Sequence, residues 1–247
     1  METNTTTLLL TSLVILIFLL VVVGNNGRQE KRKIEAILNG KLVRVKSSKY
    51  QYGIPQNIKN KDGSNKVEVI FPTLERKNWF SEDKIVKLVR SIHDLADIEP
   101  LNSVNNTNCD YFHIQEIQPL VKTYIEIDPE IAGFKAKREE IMKIRKLVNT
   151  SKVYAARAEN YTKAISELDN AIQKALDLKD ECLDLIREIL ISAEISKVDT
   201  NGYLDNDVAI EFKVQEISRN FQQFKLDAQS QIEAYTEVLQ LSEGIIE

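Results

Sequence analysis

Hydrophobic and polar positions follow three different patterns along this chain. From Thr7 to Gly24 there is no charged residue, and after Leu8 only Thr11 and Ser12 interrupt an apolar run. At 1.5 Å per residue such a helix is about 27 Å long, close to a bilayer hydrocarbon core. Val43 and Val45, then Val67 and Val69, alternate with polar residues at the period of two that marks short strands. Beyond residue 140 the spacing becomes heptad. Ile144, Ser151, Ala158, Ile165, Ile172, Lys179, Ile186 and Ala193 fall at a, and Leu147, Tyr154, Tyr161, Leu168, Ala175, Cys182 and Ile189 fall at d. Only Ser151 and Lys179 in this set are polar, so the pattern predicts one long coiled-coil helix.

A second run, Ile210, Val214, Ile217, Phe221, Phe224, Ala228, Gln231, Tyr235, Val238 and Ser242, follows turn formers at Asp199-Thr200-Asn201-Gly202. Two long amphipathic helices joined by a short turn-rich link predict an antiparallel hairpin. Leu176, Leu183 and Leu190 at e, with Leu178 and Leu185 at g, widen the first helix's apolar face and call for a further helix. The helix that would supply it is one predicted from Ser81, the segment near Ile114, or a second copy of the chain.

Between these runs the elements are shorter. Arg28–Asn39 predicts a helix stopped by Gly40. Ser81, with Glu82 and Asp83 in a first turn and Phe80 placed to meet Ile85, predicts a helix carrying Ile85, Leu88, Val89, Ile92, Leu95 and Ala96 on one face. The stretch Tyr111–Ile127 is ambiguous between helix and strand and is interrupted by Pro119. Asp128-Pro129-Glu130 reads as a helix start. The expected fold class is therefore mainly α: a single N-terminal transmembrane helix, a small mixed α/β segment, and a long antiparallel helical hairpin (coiled coil) at the C-terminus. The expected divisions are 1–27 for tail and anchor, 28–128 for a basic mixed region, and 129–247 for an acidic hairpin.

Charge sharpens this picture. Residues 28–90 carry 16 Lys and Arg against 7 Asp and Glu, whereas residues 91–247 carry 17 against 29. The flank before the apolar run has no Lys or Arg, and Arg28, Lys31, Arg32 and Lys33 crowd the other side. A retained anchor then places the N-terminus outside and the body in the cytoplasm, with those four residues near anionic lipid. Without a basic leader or a small-residue cleavage site, the run does not read as a signal peptide. Two distant cysteines make no disulfide framework. The sequons at Asn4, Asn105, Asn149 and Asn160 carry no weight, since all but Asn4 lie on the cytoplasmic side.

Catalytic chemistry is poorly represented. His93 and His113 are the only histidines, and Cys109-x3-His113, with His93 or Asp110 beside it, offers a single ligand pair rather than the two pairs of a structural zinc site. No phosphate-binding glycine loop and no GxSxG or HExxH occurs. No catalytic, metal or cofactor residues are assigned, and the chain is expected not to be an enzyme. The sequence points to a membrane-anchored coiled-coil scaffold or tether, binding a protein partner or itself through the hairpin, with Leu176, Leu178, Leu183, Leu185 and Leu190 as its interaction residues. An alternative is a membrane-active or signalling effector whose helices rearrange and whose basic segment engages anionic lipid. Nucleic acid is not an expected partner, because the basic part lacks a binding motif or interleaved aromatics.

Overall fold

A computed structural model of the chain describes residues 26–48, 50, 52–61, 64–77, 83–101, 109–148, 155–196 and 207–243. Among the described residues the fold is mixed α/β, with four helices and a five-stranded antiparallel sheet, rather than mainly α. Two compact units are distinguished, residues up to 73 with 88–114, and residues 74–87 with 115 onward.

The first helix, α1, covers residues 26–38. It ends as its sequence dictates: Gly40 takes φ 74°, its N–H donates to the Ile37 carbonyl, and Lys41 N–H donates to that of Ala36. Only glycine enters this left-handed region without strain, and the two bonds satisfy carbonyls that the helix end leaves open.

The sheet runs β4-β3-β2-β1-β5. Its strands are β1 (Val43–Val45), β2 (Tyr52–Lys61), β3 (Ser64–Arg76), β4 (Lys84–Asp94) and β5 (Ile98–Pro100). β1 pairs with β2 and with β5, Val43 opposite both Gly53 and Pro100. β2 pairs with β3 through Ile54 and Ile70, and the register shifts between Pro55 and Ile58. Alternation delivers Val43, Val45, Val67, Val69 and Phe71 to one core, closed by Ile37 of α1 and by Leu95 and Ile98. Lys33 Nζ donates to the Leu95 carbonyl at 3.3 Å, and Asn65 Nδ2 to Glu30 at 2.8 Å, which fastens α1 in place.

The helix expected to carry residues 85–96 is strand β4 instead. Ile85, Val86, Val89 and Ile92 are β-branched, and burial along Lys84–Asp94 largely alternates instead of recurring every third or fourth residue. The expected cap, Ser81, and Phe80, the expected staple partner of Ile85, lie outside the described residues.

Three long helices follow: α2 (Cys109–Val148), α3 (Ala155–Ser196) and α4 (Asp207–Glu243). The ambiguous segment and the supposed start at Asp128 are both interior to α2, which continues through Pro119 and Pro129. Both prolines are exposed, so the carbonyls that lose an N–H partner are on a side water can reach. The long heptad run is likewise divided, Ile144 belonging to α2 and Ala158 to α3, with Asn149-Thr150-Ser151 between them. What reads as a two-helix hairpin is therefore a bundle of three. Its core joins Ile127, Ile131, Phe134 and Ile141 of α2 to Leu168 and Ala175 of α3 and to Phe221, Phe224 and Ala228 of α4.

Ion pairs fix the directions. Asp128 meets Lys179 and, ten residues on, Arg138 meets Asp169, ten residues back, so α2 and α3 are antiparallel. Glu188 with Lys213 and Glu167 with Tyr235 make α3 and α4 antiparallel as well.

The membrane assignment is corrected. Among the described residues no helix is long and apolar enough to cross a membrane. α1 as described carries Arg28, Glu30, Lys31, Arg32, Lys33 and Glu35, which excludes it physically as a span. A single-pass protein with its N-terminus outside and its body cytoplasmic is not supported. The apolar run 7–24 on which that expectation rested lies outside the described residues.

Candidate functional site

Heptad packing leaves the c, f and g positions of α3 on the flank away from α2. Asp169 and Lys179, which bind α2, occupy the other side. Along the free flank α3 and α4 enclose a groove of about 760 Å³ between Glu181–Ser192 and Lys213–Asn220. Its floor is apolar, made by Leu185, Ile191 and Ile217. Leu185 and Ile217 are buried and Ile191 is half-buried.

The walls are charged. Lys213 Nζ donates to both carboxylate oxygens of Glu188 at 3.0 and 3.1 Å, bridging the two helices. Arg187 and Asp184, one turn apart on α3, pair at 2.8 Å. Glu181 and Glu216 stand on opposite walls.

A second hollow of about 460 Å³ lies on the same flank, lined by Glu167, Ala171 and Lys174 of α3 and Phe224, Asp227 and Ala228 of α4. Lys174 and Glu181 are one heptad apart, as are Asn220 and Asp227, so the hollows succeed one another along one helix pair. At its far end the Tyr235 hydroxyl donates to Glu167. Burial, with the bond to Glu167 and that residue's charge, pushes the Tyr235 phenol well above its ordinary value of 10.0, so it remains a donor.

The leucines expected to form the interaction surface are dispersed. Leu185 is in the groove floor. Leu178 packs against the bundle core, Leu183 and Leu190 are half-buried, and Leu176 is 39% exposed on the α2 side. Of the basic residues near the apolar run, Arg28, Lys31 and Arg32 are exposed, while Lys33 is engaged with Leu95.

Ile191 and Ile217 were missed by the sequence reading as site residues. Ile191 had a signal, since it is an apolar residue at an f position, where a helix hairpin normally presents polar side chains to water.

His93 lies on β4, its Nε2 2.6 Å from Ser91 Oγ and its ring edge-on to Phe71 at 6.1 Å. The side chains of Cys109, Asp110 and His113 lie outside those described. Among the described residues no group of three His, Cys, Asp or Glu side chains could hold a metal ion. Cys182 is buried in the bundle, and desolvation, with a smaller contribution from Glu181, pushes its thiol from 9.0 up to about 12. A thiol so held is a poor nucleophile at neutral pH.

No protein-family model, no curated protein and no solved structure matches the chain.

Proposed function

We propose that the protein is a scaffold or tether that acts by binding another protein on its helical bundle, without catalysis of its own. One observation carries this reading: the bundle leaves a long groove with an apolar floor and charged walls on a flank that α2 does not cover. Grooves of this kind take an amphipathic helix, whose apolar residues enter the floor while its polar ones meet the walls. The polar groups around it support the same reading, since Lys213 and Tyr235 tie α4 to α3 by pairing with Glu188 and Glu167, while Asp184 holds Arg187 on α3 itself.

The test is partner capture followed by titration. The full chain is used as bait in extract from its native source, and a retained protein is purified and titrated against wild type and Ile191→Glu. A saturable complex that Ile191→Glu weakens at least tenfold, with the helical content of the bundle unchanged by circular dichroism, supports the scaffold reading. A protein bound equally by wild type and Ile191→Glu, or no retained protein at all, counts against it.

A further inference from the structure

We infer that the occupant of the α3–α4 groove is a basic amphipathic helix of a partner protein. This rests on the scaffold reading and names its partner's chemistry. The two hollows together present six carboxylates, Glu167, Glu181, Asp184, Glu188, Glu216 and Asp227, against three cations. Two of those cations, Lys213 and Arg187, are already engaged by carboxylates of the same walls. An incoming helix therefore meets a net negative rim above an apolar floor. Lysine or arginine flanking a leucine-type stripe answers both features, and carboxylates flanking the same stripe are repelled.

Length agrees with such an occupant. On α3 the lined positions run from Glu167 to Ser192, roughly 38 Å of helix at 1.5 Å per residue, which matches about seven turns of a partner. A second copy of the chain is the poorer fit. Two identical flanks facing each other bring their surplus carboxylates together, and like charges so placed disfavour the contact.

The experiment titrates three synthetic 25-residue peptides against the full chain, by fluorescence anisotropy at low and at high salt. One has leucines at a and d flanked by lysines. The second replaces those lysines with glutamates, and the third has the composition of the first in an order with no apolar face. The basic amphipathic peptide is expected to bind saturably and to weaken as salt screens the rim. Glu181→Lys with Glu216→Lys is expected to weaken it at least tenfold. Ile191→Glu is expected to weaken it as well, even though it adds negative charge. Lys143→Glu, on the exposed face of α2, is expected to leave it unchanged.

Equal binding of the scrambled peptide means charge attraction alone and overturns the inference. Tighter binding of the acidic amphipathic peptide, lost in Ile191→Glu, overturns the basic assignment and leaves the scaffold reading standing. If no peptide binds and the chain sediments as a dimer that Ile191→Glu disperses, the occupant is a second copy. If no peptide binds and the chain is a monomer, the groove is not a docking site and both readings fall.

Discussion

The ammonium group of Lys179 on α3 is hydrogen-bonded to the Asp128 carboxylate on α2 and lies 4.1 Å from the centroid of the Tyr124 ring. Lys179 occupies an a position that an uninterrupted coiled coil would fill with an apolar residue. Its side chain is 14% exposed, while that of Asp128 is 54% exposed. The charge is thus held at the edge of the core, partnered by an anion and an aromatic face, and it specifies where along α2 the third helix packs.

Removing Asp128 leaves that ammonium without its anion, whereas replacing Lys179 by methionine removes the charge and keeps the stem's packing. Asp128→Ala is expected to lower unfolding stability by about 1 kcal/mol, and Lys179→Met to change it by less than about 1 kcal/mol in either direction. Urea denaturation of both single variants and of the double variant measures this. An additive double variant would show that the two residues do not act as a pair.

Much of the bundle was legible because heptad spacing maps directly onto burial. Leu168, Ala175, Cys182 and Ile189, all assigned to d, are buried, as are Ile210, Ile217, Phe221 and Phe224 of the second run. Helix ends were less legible. Continuity of the heptads across Asn149-Thr150-Ser151 concealed the division between α2 and α3, because a register can persist in sequence while the chain reverses. Asp128-Pro129-Glu130 has the chemistry of a helix start, yet tertiary packing keeps it inside α2 and gives the carboxylate to Lys179. In β4, Ile85, Leu88, Val89 and Ile92 satisfy a helical period, and only the β-branching of Ile85, Val89 and Ile92 favoured the strand that forms. The groove was the least legible feature, since it requires knowing which flank α2 covers.

Cys182 is expected to resist alkylation in the folded protein. Its thiol is pushed up to about 12, so very little thiolate exists at pH 8. In a Cys109→Ser background, iodoacetamide at pH 8 should label Cys182 at a rate that denaturant raises more than a hundredfold. The same shift sets an alkaline limit. The folded state holds the thiol proton more tightly than the unfolded chain, so this contribution to stability is intact below about pH 9. It is lost as pH rises toward 12. Rapid labelling under native conditions at pH 8 would mean that α3 opens locally around Cys182.

Tyr235 combines a buried ring with a hydroxyl bonded to Glu167, an exposed residue of α3. Tyr235→Phe keeps the ring and deletes the donor. Because Glu167 can turn to water, the loss is expected to be only about 1 kcal/mol, measured by urea denaturation. The raised phenol favours the folded state below its ordinary value of 10.0, and that preference disappears as pH climbs above it. In a spectrophotometric titration Tyr235 should therefore ionise late, and Tyr235→Phe should remove a high-pH step from the curve. An early step removed by this substitution would contradict the buried, bonded geometry.

Gly53 on β2 has no room for a side chain. A Cβ there would sit 2.4 Å from Val69 Cγ1 and 2.8 Å from Phe71 Cε1, both residues being buried in the sheet core with α1. Alanine ordinarily improves a strand over glycine by restricting the unfolded chain. Here the overlap decides the sign, and Gly53→Ala is expected to cost about 1–3 kcal/mol. Val69→Ala removes the methyl in closest conflict, at the expense of a cavity. The two substitutions should therefore be less damaging together than the sum of their separate effects. Urea unfolding of the two single variants and the double variant, followed by a probe of the sheet unit, checks this. Gly53→Ala as stable as wild type, or a strictly additive double variant, would show that β2 and β3 are not packed as closely at Val69 as the structure places them.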